Sequence, residues 1–295
     1  MKIKPLLALA GTLILFSTYE IASKSIASIV PPLQINFWRF MAGGLILLPI
    51  AMIINYRAHR RLTGTDLLRL SRLGLVMIAI SLPLLQVAIV YIPASAAAVL
   101  FCTNPLFAHL FSAIIDKEHL SKRTWTGLLI SLGGIILIII SELMKLNFSG
   151  YSLLGISLAI GSALFWGLYI VLAKGEAEKV GGLTVNAITF IIGSLITLPL
   201  LIWLRVPRVT FDPQAWPEML YLTLGITCGA FILFLYALQY VSANTGSLIF
   251  FIKPLLATFL AACWLQEKIS PLFLVGTCIV IIGLLFSRKK TSPPN

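Results

Sequence analysis

The chain consists of ten apolar runs, each about as long as a bilayer crossing, separated by short charged connections. The runs cover residues 5–26, 33–55, 70–92, 94–115, 124–144, 153–172, 183–204, 216–240, 243–265 and 271–287. A helix needs roughly 20 residues to cross ~30 Å of hydrocarbon, and most of the runs reach that length. None alternates at period two, so a β-barrel is excluded, and helices remain as the way to satisfy backbone polar groups within lipid. The predicted fold is all-α integral membrane, with ten transmembrane helices. Only 11% of the residues are charged and 59% are hydrophobic, against about 25% and 45–50% in a soluble domain. That balance excludes an ordinary globular enzyme, a disordered chain and a disulfide scaffold. Cys102, Cys228, Cys263 and Cys278 all lie within apolar runs without metal spacing. They read as packing residues, and neither a metal site nor a cofactor is expected.

The formal net charge of +12 would suit a nucleic-acid partner if it formed a patch. Instead, the charges sit at the ends of the apolar runs, where they act as topology signals, and no nucleic-acid partner is expected. With the N-terminus inside, fifteen Lys and Arg fall in cytoplasmic segments and five in outer ones, while Arg39 and Lys253 fall within spans. Both termini are therefore expected in the cytoplasm. Lys2 and Lys4 ahead of an apolar core also fit a signal peptide. No clean small-residue cleavage site follows, however, and the first run takes part in the duplication described next, so this reading is rejected.

The two halves repeat each other. The segment beginning at Tyr91 aligns with that beginning at Tyr240 at an offset of 149, which pairs Ala94 with Ala243, Pro105 with Pro254, Glu118 with Glu267, Gly127 with Gly276 and Gly134 with Gly283. At an offset of 150, Tyr19 pairs with Tyr169, Asn36 with Asn186, Phe40 with Phe190, Gly43 with Gly193 and Pro49 with Pro199. Apolar letters agree by chance between membrane helices; Pro, Glu, Gly and Asn at one register do not. The two units are placed at 5–146 and 150–288. Each holds five spans, an odd number, so the second unit must lie upside down relative to the first. Inverted repeats of this kind are an architecture of alternating-access transporters.

The doubled apolar-Pro-apolar helix ending in Glu (Pro105 to Glu118, Pro254 to Glu267) resembles the ten-helix EamA-like permeases of the drug/metabolite transporter superfamily. So do the glycine-bearing helix after each copy, Trp166-Gly167 and Arg39-Phe40. The resemblance covers nearly the whole chain; Ser17-Thr18 stands where a Trp-Gly pair would be usual. It implies a secondary transporter of the bacterial inner membrane, multi-pass, exporting amino acids or other small metabolites, and it does not name the cargo. Uptake or exchange of a phosphorylated or sugar metabolite is the alternative within the class. An intramembrane enzyme on a lipid-linked substrate ranks lower, because the acidic residues lie mostly in loops, and a channel or assembly subunit is opposed by the buried charges. No enzymatic activity is expected. Expected partners are a small-molecule substrate and the bilayer, with proton coupling and a monomeric or homodimeric state left open.

Intramembrane charges mark function by default, because even a lenient insertion scale sets about 2.5–3.5 kcal/mol against a Lys at mid-bilayer. Lys253, beside Pro254 in the ninth run, is placed there. It reads either as a ligand for a carboxylate or phosphate or as a lock between two helices; its counterpart Asn104, before Pro105, joins it as a substrate-binding candidate. Glu20 and Arg39 both lack a charged counterpart in the second half, where Ile170 and Thr189 stand. That joint absence suggests that they pair, as a structural bridge or as a gate or coupling site, with Lys24 a competing partner for Glu20. His109 is a coupling or packing candidate. Gln86, Tyr19, Trp166, Tyr169 and Tyr236 are placed at cavity depth, Gln86 being equally suited to an interhelical hydrogen bond. Tyr91 and Tyr240 read as interfacial anchors, and Glu118 and Glu267 as anchors or caps. Pro105 and Pro254 perturb their helices, and Gly225/Gly229 and Gly133-Gly134 read as close-packing surfaces.

Overall fold

The computed structural model describes residues 3–60, 62–117, 120–145, 150–206, 212–238, 240 and 248–287, and every regular element among them is helical. Eight helical segments are long and apolar enough to cross a membrane. They are α1 (Ile3–Ser25), α2 (Pro32–Arg57), α3 (Gly64–Tyr91), α4 (Ala94–Ile115), α5 (Lys122–Lys145), α6 (Gly150–Val180), α7 (Gly182–Trp203) and α8 (Pro213–Ala237). Two shorter apolar helices follow, α9 (Leu248–Trp264) and α10 (Pro271–Ser287). Glu118, and the charges at Lys2, Arg61, Arg208, Arg288, Lys289 and Lys290, lie outside the described residues.

The ends of the helices follow local chemistry. α3 starts six residues before its apolar run because Thr63 and Asp66 form a capping box, with the Thr63 amide donating to Asp66 Oδ2 at 2.9 Å. α4 breaks at Cys102–Thr103. Pro105 has no N–H to give and frees the carbonyl four residues back; Asn104 Nδ2 donates to that Phe101 carbonyl at 2.8 Å. Gly181, at φ 86°, turns the chain from α6 into α7 in a conformation that favours glycine. Wide i→i+5 turns occupy Leu75–Ser81 in α3 and Tyr221–Ala230 in α8. The two stretches overlap at the offset of 150, and such turns concentrate at functional places in helices.

The bundle is apolar outside and mixed inside. Leu129, Trp203, Phe259 and Ile282 are exposed, whereas Thr12, Ser81, Ser162 and Thr277 are fully buried. With lipid as apolar as leucine, such helices associate through close packing and small residues. α5 and α10 illustrate this: a Cβ added at Gly134 would lie 2.6 Å from the Gly276 carbonyl oxygen and 2.7 Å from the Val280 nitrogen. Gly127 and Gly283 make the same approach to each other. Contacts 127–283 and 134–276 run antiparallel, and between them Ser131 Oγ donates to the carbonyl of Val280, its own counterpart at the offset of 149, at 3.2 Å. α2 and α7 do likewise. Phe40 meets its counterpart Phe190 edge to face at 4.9 Å, Gly44 faces Ala187, and Asn55 Nδ2 donates to Thr184 Oγ1 at 2.9 Å.

Two glycine expectations need correction. Gly133 has nothing within 4 Å of an added Cβ, so only Gly134 of that pair packs closely. Gly225 and Gly229 lie in the wide-turn stretch of α8, their nearest contacts being atoms of α8 itself, 3.2 Å away, and the flexible end of Leu15. No neighbouring backbone is among the nearest contacts of either one; α1 meets both through the Leu15 side chain alone.

Candidate functional site

A cavity of about 360 Å³ lies between the two halves, lined from α1, α2, α3, α4, α6, α7, α8 and α9. Its wall is overwhelmingly apolar and rich in aromatic rings, among them Phe16, Phe101, Trp166 and Phe231, as metabolite pockets commonly are. Phe101 and Trp166 meet edge to face at 5.2 Å, and Trp166 tilts against Tyr169 at 5.4 Å, so these rings brace one another. Of the sequence candidates, Lys253, Arg39, Tyr19, Trp166 and Tyr169 line the cavity.

Three charges gather at this wall. Lys253 is 5% exposed and Glu20 is 0% exposed, and Lys253 Nζ donates to Glu20 Oε1 at 2.6 Å. The expected Glu20–Arg39 pair does not form. Arg39 instead places its guanidinium 4.4 Å from the Tyr19 ring centroid and 4.2 Å from that of Phe40. Lys24 also leaves Glu20 aside. Its Nζ donates to the carbonyls of Ile89 at 2.5 Å and Ile92 at 2.9 Å, at the C-terminal end of α3, where a cation meets unsatisfied carbonyls and the helix dipole. The true pairing was within reach of the sequence: Lys253 has the uncharged Asn104 as its counterpart, so joint absence of charge linked it to Glu20 as strongly as to Arg39.

The remaining candidates lie behind the wall or apart from it. Gln86 is fully buried and accepts the Tyr19 hydroxyl at 2.7 Å, holding that ring under Arg39. Asn104 is committed to the Phe101 carbonyl at the break in α4. His109 Nδ1 lies 2.6 Å from the carbonyl of Pro105, a packing contact within its own helix. Tyr236 is 37% exposed and rests against Tyr240 at 5.2 Å, away from the cavity. Pro254 lies inside α9 next to Lys253. Cys102 lines the cavity, which the sequence reading did not single out.

At one end, past the last lining residues of α4 and α6, the two halves meet again. Glu267 reaches from the chain after α9 across to the start of α4, accepting from the Ala94 amide at 2.6 Å, the Ser95 amide at 3.1 Å and the Ser95 hydroxyl at 2.5 Å. Gln266, at φ 54°, turns the chain so that the carboxylate reaches this helix N-terminus. Ser141 Oγ and Ser270 Oγ lie 2.6 Å apart, and Tyr91 stacks on Tyr151 at 5.9 Å. At this end a Cβ on Gly155 of α6 would touch Ile92 and Tyr91. The lining continues along α6 in the opposite direction, through Ala173 to Ala177.

The model of the EamA-like transporter family matches twice, over residues 3–140 and 153–288. An uncharacterized transporter of Clostridium kluyveri is 34% identical over 290 residues, covering 96% of this chain and 93% of that protein. One from Archaeoglobus fulgidus is 25% identical over 98% of this chain and 99% of its own length. A solved structure, described as the crystal structure of a protein, matches with a TM-score of 0.66 over 97% of this chain and 98% of that one at 19% identity, a likeness of fold. With eight apolar helices of spanning length, the protein is a multi-pass membrane transporter. The chain belongs to the EamA-like transporter family.

Proposed function

We propose that the protein is a secondary transporter that carries a small anionic or zwitterionic metabolite of the amino-acid kind through this cavity by alternating access. The observation that supports this most is a cavity between two similar halves with a buried Lys253–Glu20 pair in and behind its wall. In this reading ten helices cross the bacterial inner membrane as two inverted units of five, at 5–146 and 150–288, with both termini in the cytoplasm. The antiparallel counterpart contacts Phe40–Phe190 and Ser131–Val280 support that arrangement. The end held by Glu267 is the outer one, and the cavity faces the cytoplasm; export is the direction the resemblance implies. Proton coupling would run through Glu20, whose release from Lys253 exposes a carboxylate. Radiotracer flux in proteoliposomes over a metabolite panel tests the reading: gradient-dependent flux of one member supports it, and its absence across the panel overturns it.

A latch at Glu267 makes a separate expectation. In a cysteine-free variant carrying Ala173→Cys on the half-buried cavity wall, an impermeant thiol reagent should reach position 173 from the cytoplasmic side. Glu267→Ala removes the acceptor of three hydrogen bonds, costs about 1–2 kcal/mol at the α4 N-terminus, and should open position 173 to reagent added outside. Unchanged labelling from outside would leave Glu267 as a cap alone.

A further inference from the structure

The charges at the cavity do not balance, and the imbalance identifies what the cavity takes. Glu20 and Lys253 neutralise each other at 2.6 Å. Arg39 is 3% exposed, lines the cavity, and has no carboxylate within ion-pair distance among the described residues. Its Nε is buried without a hydrogen-bond partner. The rings of Tyr19 and Phe40 offset part of the desolvation by cation–π attraction, which is weaker than the desolvation penalty of a buried ion. One positive charge is left over.

Resting on the transport reading above, and narrowing its anionic or zwitterionic cargo to the anionic half, we infer that Arg39 is the substrate-binding cation and that the substrate is a monocarboxylate with a bulky apolar or aromatic body and no ammonium beside the carboxylate. A carboxylate matches the guanidinium fork and cancels one charge. A phosphate, at about −1.5 to −2, overshoots that charge. A sugar requires many hydrogen-bond partners, and beyond the two cations the polar side chains among the described lining residues are Asn186, Thr227, Cys102, the hydroxyls of Tyr19 and Tyr169 and the indole N–H of Trp166. A zwitterion would bring an ammonium, yet Glu20 lies behind the wall and is held by Lys253. The aromatic wall, with Phe16 and Phe231 edge to face at 5.4 Å, takes the apolar body.

Binding to the purified full-length protein, followed by tryptophan fluorescence with Trp166 in the wall, tests the assignment with four ligands: 3-phenylpropanoate, its neutral amide, phenylalanine and inorganic phosphate. The acid should bind at least about tenfold more tightly than the amide or phenylalanine, and phosphate should not bind. Arg39→Gln should erase the acid's advantage over the amide, while Arg39→Lys should keep part of it. The wild-type comparison of acid with amide needs no variant to fold. Equal affinities, preference for phenylalanine, or no binding by any of the four would overturn the inference. If wild-type protein still moves another metabolite in proteoliposomes, the transport reading stands and only the monocarboxylate assignment falls.

Discussion

Lys253→Ala should abolish flux in proteoliposomes while the protein remains in the membrane. The substitution leaves Glu20, fully buried with Oε2 already unpartnered, as an uncompensated charge. Breaking one side of a buried pair costs about 3–5 kcal/mol, whereas replacing both sides with well-packed neutral groups is often neutral or stabilising. The double variant Glu20→Gln, Lys253→Met should therefore recover most of the thermal stability in detergent. The two roles of the pair separate at this point. If it only locks α1 to α9, the double variant regains flux together with stability. Stability should return without flux, because the carboxylate proposed to couple transport and its partner have both gone. Wild-type kinetics in Lys253→Ala would remove Lys253 from the site.

The second large effect is expected at the contact between α5 and α10. Gly134→Val and Gly283→Val each drive a branched side chain into the backbone of the facing helix. Backbone cannot rotate away, so each should cost about 3 kcal/mol, the upper part of the usual overpacking range. The two should be similar, since they occupy matching places at the offset of 149. Gly133→Val, one residue away with nothing within 4 Å, should change stability by less than about 0.5 kcal/mol. Thermal unfolding of the three variants in one detergent checks this. A large loss at Gly133, or a loss at only one of the other two, would break the equivalence.

The existence of the helices was legible in the sequence because the membrane leaves a chain few ways to satisfy its backbone, so run length nearly suffices. The duplication was legible because Pro, Gly and Glu recur at one register, and its counterpart contacts at Phe40–Phe190 and Ser131–Val280 lie at the junction of the halves. Rotation of the helices was not. In a bundle that is apolar toward lipid as well as inside, periodicity does not mark the buried face, which is why Gly133 and Gly134 could not be told apart. Partner choice failed for a related reason: Arg39, Lys24 and Lys253 all lay within plausible depth of Glu20. What separated them was the alternative open to each, an aromatic sandwich for Arg39 and helix-end carbonyls for Lys24. Glu267 was readable as a cap from its place at a helix end, but the helix it caps, in the other half, was not. The wide turns in α3 and α8 left no mark in composition at all.

Everything functional here depends on the two halves facing opposite sides of the membrane. Ser121 and Lys268, both exposed in the matching connections after α4 and α9, report on this most directly. Each is replaced singly by cysteine in a cysteine-free background and labelled in intact cells with an impermeant reagent. The account expects Lys268→Cys to label from outside and Ser121→Cys to label only after the membrane is permeabilised; labelling of both from the same side would contradict it.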